Sequence, residues 1–132
     1  ELIGEKVKSF AYPYGRYNDK IISMVQEAGY QNARAVNGIA KNGFKGFNFN
    51  VSFPFQIACQ SVKRETTLGE VRDWIEIAKR NSFWLVLNFH QVDENPYAWG
   101  CKPEMLRNIC QMIKIYALVV EPLSKAKDLY YK

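Results

Sequence analysis

Two apolar runs that stop abruptly at chemically useful residues constrain this chain more than any other feature. The first, Phe10-Ala11-Tyr12, ends at Pro13-Tyr14-Gly15 and leads through Arg16-Tyr17-Asn18-Asp19 into a helix. The second, over residues 83–89, ends at His90, the single histidine of the sequence. Short apolar runs alternating with capped amphipathic segments call for a mainly parallel sheet with helical crossovers. Open α/β sheets and β/α barrels bind ligands outside the carboxyl ends of their strands, so both runs point to one rim.

The remaining elements follow from local chemistry. Residues 6–12 are expected as a strand ended by the Pro-Tyr-Gly turn. Asn18 or Asp19 caps a helix to about Ala28, with Ile21, Ile22, Met24, Val25 and Ala28 on one stripe and Gly29 closing it. A second strand covers residues 32–36. Residues 37–54 form a long irregular segment rich in Gly, Asn and Phe, whose aromatics either anchor it to the core or stack on sugar rings. A third strand covers residues 55–62. Thr66 or Thr67 caps a helix over residues 68–80, with Glu70 completing a capping box from Thr67. Its buried stripe is Val71, Trp74, Ile75 and Ala78. The unbroken apolar run at 83–89 suits a parallel strand covered on both faces. A helix from Lys102-Pro103-Glu104 to about Ile115, a short strand at 117–120 and a terminal helix at 122–130 complete the chain.

Composition narrows the class. At 132 residues the chain is one domain, short for a β/α barrel of about 250 residues. Its 48% hydrophobic and 23% charged content is that of a globular protein. No apolar run approaches the roughly 20 residues that span a bilayer. The net charge of +5 favours anionic partners only weakly, and the basic residues are too scattered for a nucleic-acid footprint. Cys59, Cys101 and Cys110 are odd in number and lack CxxC spacing; with one histidine they do not compose a zinc site. They form either one disulfide, Cys101 and Cys110 being the nearest pair, or a set of buried thiols. The chain opens at Glu1 without a methionine or a signal peptide, as expected of an excised or processed piece.

His90 is the main candidate for chemistry. It sits at a strand end before Asp93, Glu94, Asn95 and Pro96, where imidazole can exchange a proton near neutral pH. Asp93 and Glu94 either orient it or are simply solvated. In the turn, Pro13 fixes φ and Gly15 frees it, so that the Tyr14 amide can be held toward a cleft as an oxyanion donor. No GxSxG elbow, P-loop or GxGxxG is present.

Taken together, FAYPYGRYND, the helix ending in EAGY, the following ARAVNG, QSVKRETTLGEVRDWIEIAK and WLVLNFHQVDENP resemble the C-terminal portion of a polysaccharide deacetylase domain, the NodB-homology or carbohydrate esterase family 4 group. The resemblance implies a partial, distorted β/α barrel and hydrolysis of N- or O-acetyl groups from a carbohydrate polymer such as a peptidoglycan-like glycan. It implies His90 as general acid, the Tyr14 amide as oxyanion donor, and Tyr12 and Pro13 lining an acetyl pocket. It further implies a divalent metal, zinc or a substitute, held by an Asp-His-His set that this chain lacks and that an upstream segment or another chain would supply. The setting implied is extracellular or in the cell envelope. The alternative is a non-catalytic glycan-binding or structural module that keeps the fold.

Overall fold

The computed structural model describes residues 4, 6–36, 44–48 and 53–130, with side chains described to residue 126. The fold is mixed α/β with short parallel strands, and the described residues form no closed barrel. Strand β1 (Ser9–Ala11) pairs in parallel with β2 (Asn32–Arg34), Phe10 opposite Ala33. Strand β3 (Gln60–Ser61) pairs in parallel with β4 (Leu87–Asn88), Gln60 opposite Leu87. The pairs are two separate two-stranded sheets, and an isolated parallel bridge from Arg34 to Ile57 sets β2 beside the segment that leads into β3, giving the sequence β1-β2-β3-β4 across them. The third strand therefore takes β2 as partner at its start and β4 at its end.

A buried asparagine makes that change of partner possible. Asn48 donates its side-chain amide to the carbonyls of Ala58 (3.0 Å) and Trp84 (3.1 Å) and accepts the Ala58 N–H (2.8 Å). Its own backbone bridges antiparallel to Trp84. Where the third and fourth strands diverge, one carboxamide stands in for a peptide group and satisfies main-chain atoms that burial would otherwise leave unpaired.

The helices form where capping chemistry starts them. Helix α1 (Asp19–Glu27) is capped by Asn18, whose Oδ1 accepts the Ile21 N–H at 2.9 Å, and Gly29 follows it at φ 88. Helix α2 (Leu68–Asn81) begins with the full capping box: Glu70 donates its N–H to Thr67 Oγ1 and accepts the Thr67 N–H at 2.7 Å. Helix α3 (Pro103–Ile115) starts on a proline, where the missing N–H costs nothing. Helix α4 (Leu123–Tyr130) ends the described chain. Tyr12, Val25, Ala33 and Ala35 form one core, under α1; Val62, Val71, Ile75, Cys101 and Ile109 form the other, between α2 and α3. The Tyr12 hydroxyl, the Ser9 hydroxyl and the Asn32 amide are buried with no partner among the described residues. The rings of Phe10 and Tyr17 pack against Tyr12.

Several expectations need correction. The strands expected at 6–12, 55–62 and 83–89 are paired over only two or three residues, and residues 83–89 are half-buried rather than covered on both faces. Strand β4 ends the described order, so it lacks the second neighbour that would bury it. No strand forms at 117–120: Ala117 turns left-handed at φ 50 after α3, and Val119 and Val120 are exposed. All three cysteines are free, and Cys110 is exposed rather than buried. Of the loop aromatics, Phe44 and Phe47 pack on Phe83, so these two are anchors. Residues 37–43 and 49–52 of that loop lie outside the described residues. No helix among the described residues is long and apolar enough to cross a membrane.

Two outcomes test this account. Asn48→Ala strands the buried Ala58 N–H and should cost roughly 2–3 kcal/mol, seen as a lower urea midpoint at unchanged slope. The Thr67 backbone and side chain hold the Glu70 carboxyl below its usual range. A lowered folded-state pKa stabilises above the unfolded carboxyl range and is lost as pH falls through the folded value. Glu70→Ala should therefore melt lower than the native chain at pH 7, with the gap narrowing below about pH 4.

Candidate functional site

Because all the strands run in parallel, their carboxyl ends share one rim, and both sequence-selected segments lie there. The Pro13–Gly15 turn follows β1 and His90 follows β4. In the strand order they stand on the two outermost strands, not on neighbours, with β2 and β3 between them.

Between them lies a cleft of about 480 Å³ lined by Val36, Cys59, Gln60, Ser61, Lys63, Glu65, Thr66, Glu70, Trp74 and Trp99. Neither Tyr14 nor His90 is in its wall, but Gly15, the neighbour of Tyr14, and His90 each abut a residue that is. Gly15 is pressed on Val36 so closely that an added Cβ would lie 2.5 Å from Val36 Cγ2 and 2.6 Å from its backbone nitrogen. At the other end the His90 ring lies 6.1 Å from the Trp99 ring, centroid to centroid. The Trp99 indole is 47% exposed and carries Lys63 Nζ at 4.0 Å above it, a cation–π contact.

Local structure explains why these groups stay where they are. Gly15 N–H donates to the Tyr12 carbonyl at 2.8 Å and Arg16 N–H to the Pro13 carbonyl at 3.1 Å, closing the turn. Tyr12 anchors it from below: its ring is 2% exposed and stacks on Tyr17, and its N–H donates to Arg34. The residue expected to line an acetyl pocket is therefore core, whereas Pro13 is exposed. The loop bearing Trp99 is pinned by a parallel bridge between Val92 and Cys101 and by the Tyr97 N–H donating to Gln91 Oε1 at 3.0 Å.

The ionisable groups divide by role. His90 is exposed. Asp93 accepts the Asn95 N–H at 2.8 Å and so serves its own loop; Glu94 is exposed. Burial pushes the Cys59 thiol up, against a weaker opposing pull from Arg34, which keeps it protonated and a poor nucleophile. Glu70 is committed to the α2 cap as a carboxylate, unsuited to donate a proton. The described residues contain no group of three or more His, Cys, Asp and Glu placed to hold a metal ion. They do not fit a metal centre.

The cleft walls escaped sequence reading. Gln60, Ser61 and Lys63 lie in a segment quoted for the resemblance without a site role, Trp99 lies in none, and Trp74 sits on the helix stripe expected to be core, which it also joins. One signal was available: a tryptophan in a polar loop after a strand is badly placed for burial and well placed for binding.

The turn's fit to Val36 is testable. Gly15 has φ +66, so Gly15→Ala adds both a clash and a backbone conformation that alanine resists. A loss of roughly 2–3 kcal/mol is expected, and an unchanged melting temperature would refute the contact. No family model, no curated protein and no solved structure matches this chain.

Proposed function

We propose that the chain is the C-terminal portion of a polysaccharide deacetylase-like hydrolase acting on the acetyl groups of a carbohydrate polymer. The observation that carries this reading is the cleft bracketed by the Tyr14 turn, through Val36, and by His90, through Trp99. In this reading a sugar residue occupies the cleft. Its hydroxyls meet Gln60, Ser61 and Glu65, and its apolar face meets an indole. The resemblance assigns the oxyanion to the Tyr14 amide, which stands at the β1 end of the rim, across β2 and β3 from His90. The exposed His90 imidazole gives its proton to the departing amine or alcohol as the acyl bond breaks.

The divalent metal and the aspartate base that the resemblance implies would have to come from residues outside this chain. Such a polymer places the protein outside the cell or in its envelope.

A second reading is favoured by one observation: neither Tyr14 nor His90 lines the cleft. In it the cleft binds glycan without hydrolysing it. Acetate release from a partly acetylated glycan, measured on the protein that carries this chain together with its metal-bearing residues, separates the two. His90→Ala should lower kcat about 10²–10⁴-fold. Unchanged turnover removes His90 from the mechanism, and glycan binding with no acetate release from the native protein selects the binding module.

A further inference from the structure

Three residues other than glycine adopt left-handed backbone conformations: Tyr14 at φ 55, Ser82 at φ 54 and Ala117 at φ 50 among the described residues. Two of them end helices. Ser82 closes α2, its N–H donating to Ala78 and Lys79, and Ala117 follows α3 with its N–H donating to Lys114. A left-handed residue is the ordinary way to stop a helix, and both side chains are small. Tyr14 ends no α-helix.

A left-handed tyrosine is unfavourable because its Cβ crowds the following carbonyl, and the bulk of the ring makes it a true outlier. The turn cannot relax it. Pro13 fixes φ on one side, Gly15 is pressed on the Val36 backbone on the other, and two hydrogen bonds close the loop around it. Packing offers no compensation either, since Tyr14 is 92% exposed. Asparagine or glycine would serve the turn better. The fold thus holds a large ring in a strained conformation, in water, on the turn whose Gly15 rests on the cleft residue Val36.

We propose that the Tyr14 phenol ring is a stacking platform for a pyranose ring of a glycan chain that runs from the turn into the cleft. This rests on the reading of the rim as a glycan site and goes beyond the role of the Tyr14 amide. Sugars match the surroundings: Val36 links the turn to a cleft that mixes flat apolar faces, Trp74 and Trp99, with Gln60, Ser61, Lys63 and Glu65. A pyranose presents an apolar face to a ring and hydroxyls at its edge, and an amphipathic aromatic suits that boundary. Strain retained at an exposed position, with no structural return, is the pattern of a residue kept for contact with a ligand.

The test uses Tyr14→Phe, Tyr14→Asn and Tyr14→Gly in the full chain. Each is titrated with a soluble, partly acetylated β-1,4-linked glucosamine polymer and with acetylated xylan, and each is melted. Tyr14→Gly and Tyr14→Asn should melt about 3–6 °C higher than the native chain and bind one of the polymers roughly tenfold more weakly. Tyr14→Phe should bind as the native chain does. Native-like binding by Tyr14→Gly overturns the proposal, as does a lower melting point, which would make the ring a support of the fold. Failure of the native chain to bind either polymer also overturns it. Hydrolysis of a small aryl acetate by the protein that carries this chain together with its metal-bearing residues separates this proposal from the hydrolytic one. His90-dependent turnover without polymer binding sinks the platform alone, whereas ring-dependent binding with turnover indifferent to His90 sinks the hydrolase alone.

Discussion

The change of partner along the third strand is the constraint on which the rest of the molecule depends. Ile57 belongs to β2 and Gln60-Ser61 to β4, so the sheet must open between them at Ala58. An opening in a buried sheet exposes main-chain donors and acceptors to an environment without water, which is costly unless something pairs them. The Asn48 carboxamide does so from both its ends. A residue from the irregular loop thereby ties the third strand segment at Ala58 to the fourth at Trp84.

The span between the turn after β1 and the histidine after β4 defines the site. With β2 and β3 between them, Tyr14 and His90 do not meet directly, and the space they frame is filled by the ends of the inner strands and by the Trp99 loop. Val36 and Trp99 act as intermediaries, each touching one bracketing group and walling the cleft. The candidate residues at the strand tips and the cleft walls between them are thus distinct sets of residues.

What the sequence made legible was decided by range. Asn18, Thr67 with Glu70, Pro103 and Gly29 act within one helical turn, so the helices could be placed nearly to the residue. Strand lengths depend on neighbours distant in the chain, and the apolar run at 83–89 promised a covered strand that its position at the end of the described order does not supply. Residues 117–120 look like a strand because Val119 and Val120 are β-branched, yet nothing pairs with them among the described residues and they stay exposed. The rim was legible because strand direction alone puts Tyr14 and His90 on it. The cleft was not, because Lys63 and Trp99 are distant in the chain and meet through contacts of the Trp99 loop, the Arg64 N–H donating to the Ala98 carbonyl and the bridge between Val92 and Cys101.

That bridge has a bearing on how the molecule meets whatever it recognises. With the Trp99 loop pinned at its base and the Tyr14 turn locked against Val36, the backbone under both aromatic edges of the rim is set before any encounter. Little freedom remains to be surrendered on association, so discrimination falls to the fit of a rigid outline rather than to adaptation. A partner of slightly wrong contour would be refused instead of accommodated.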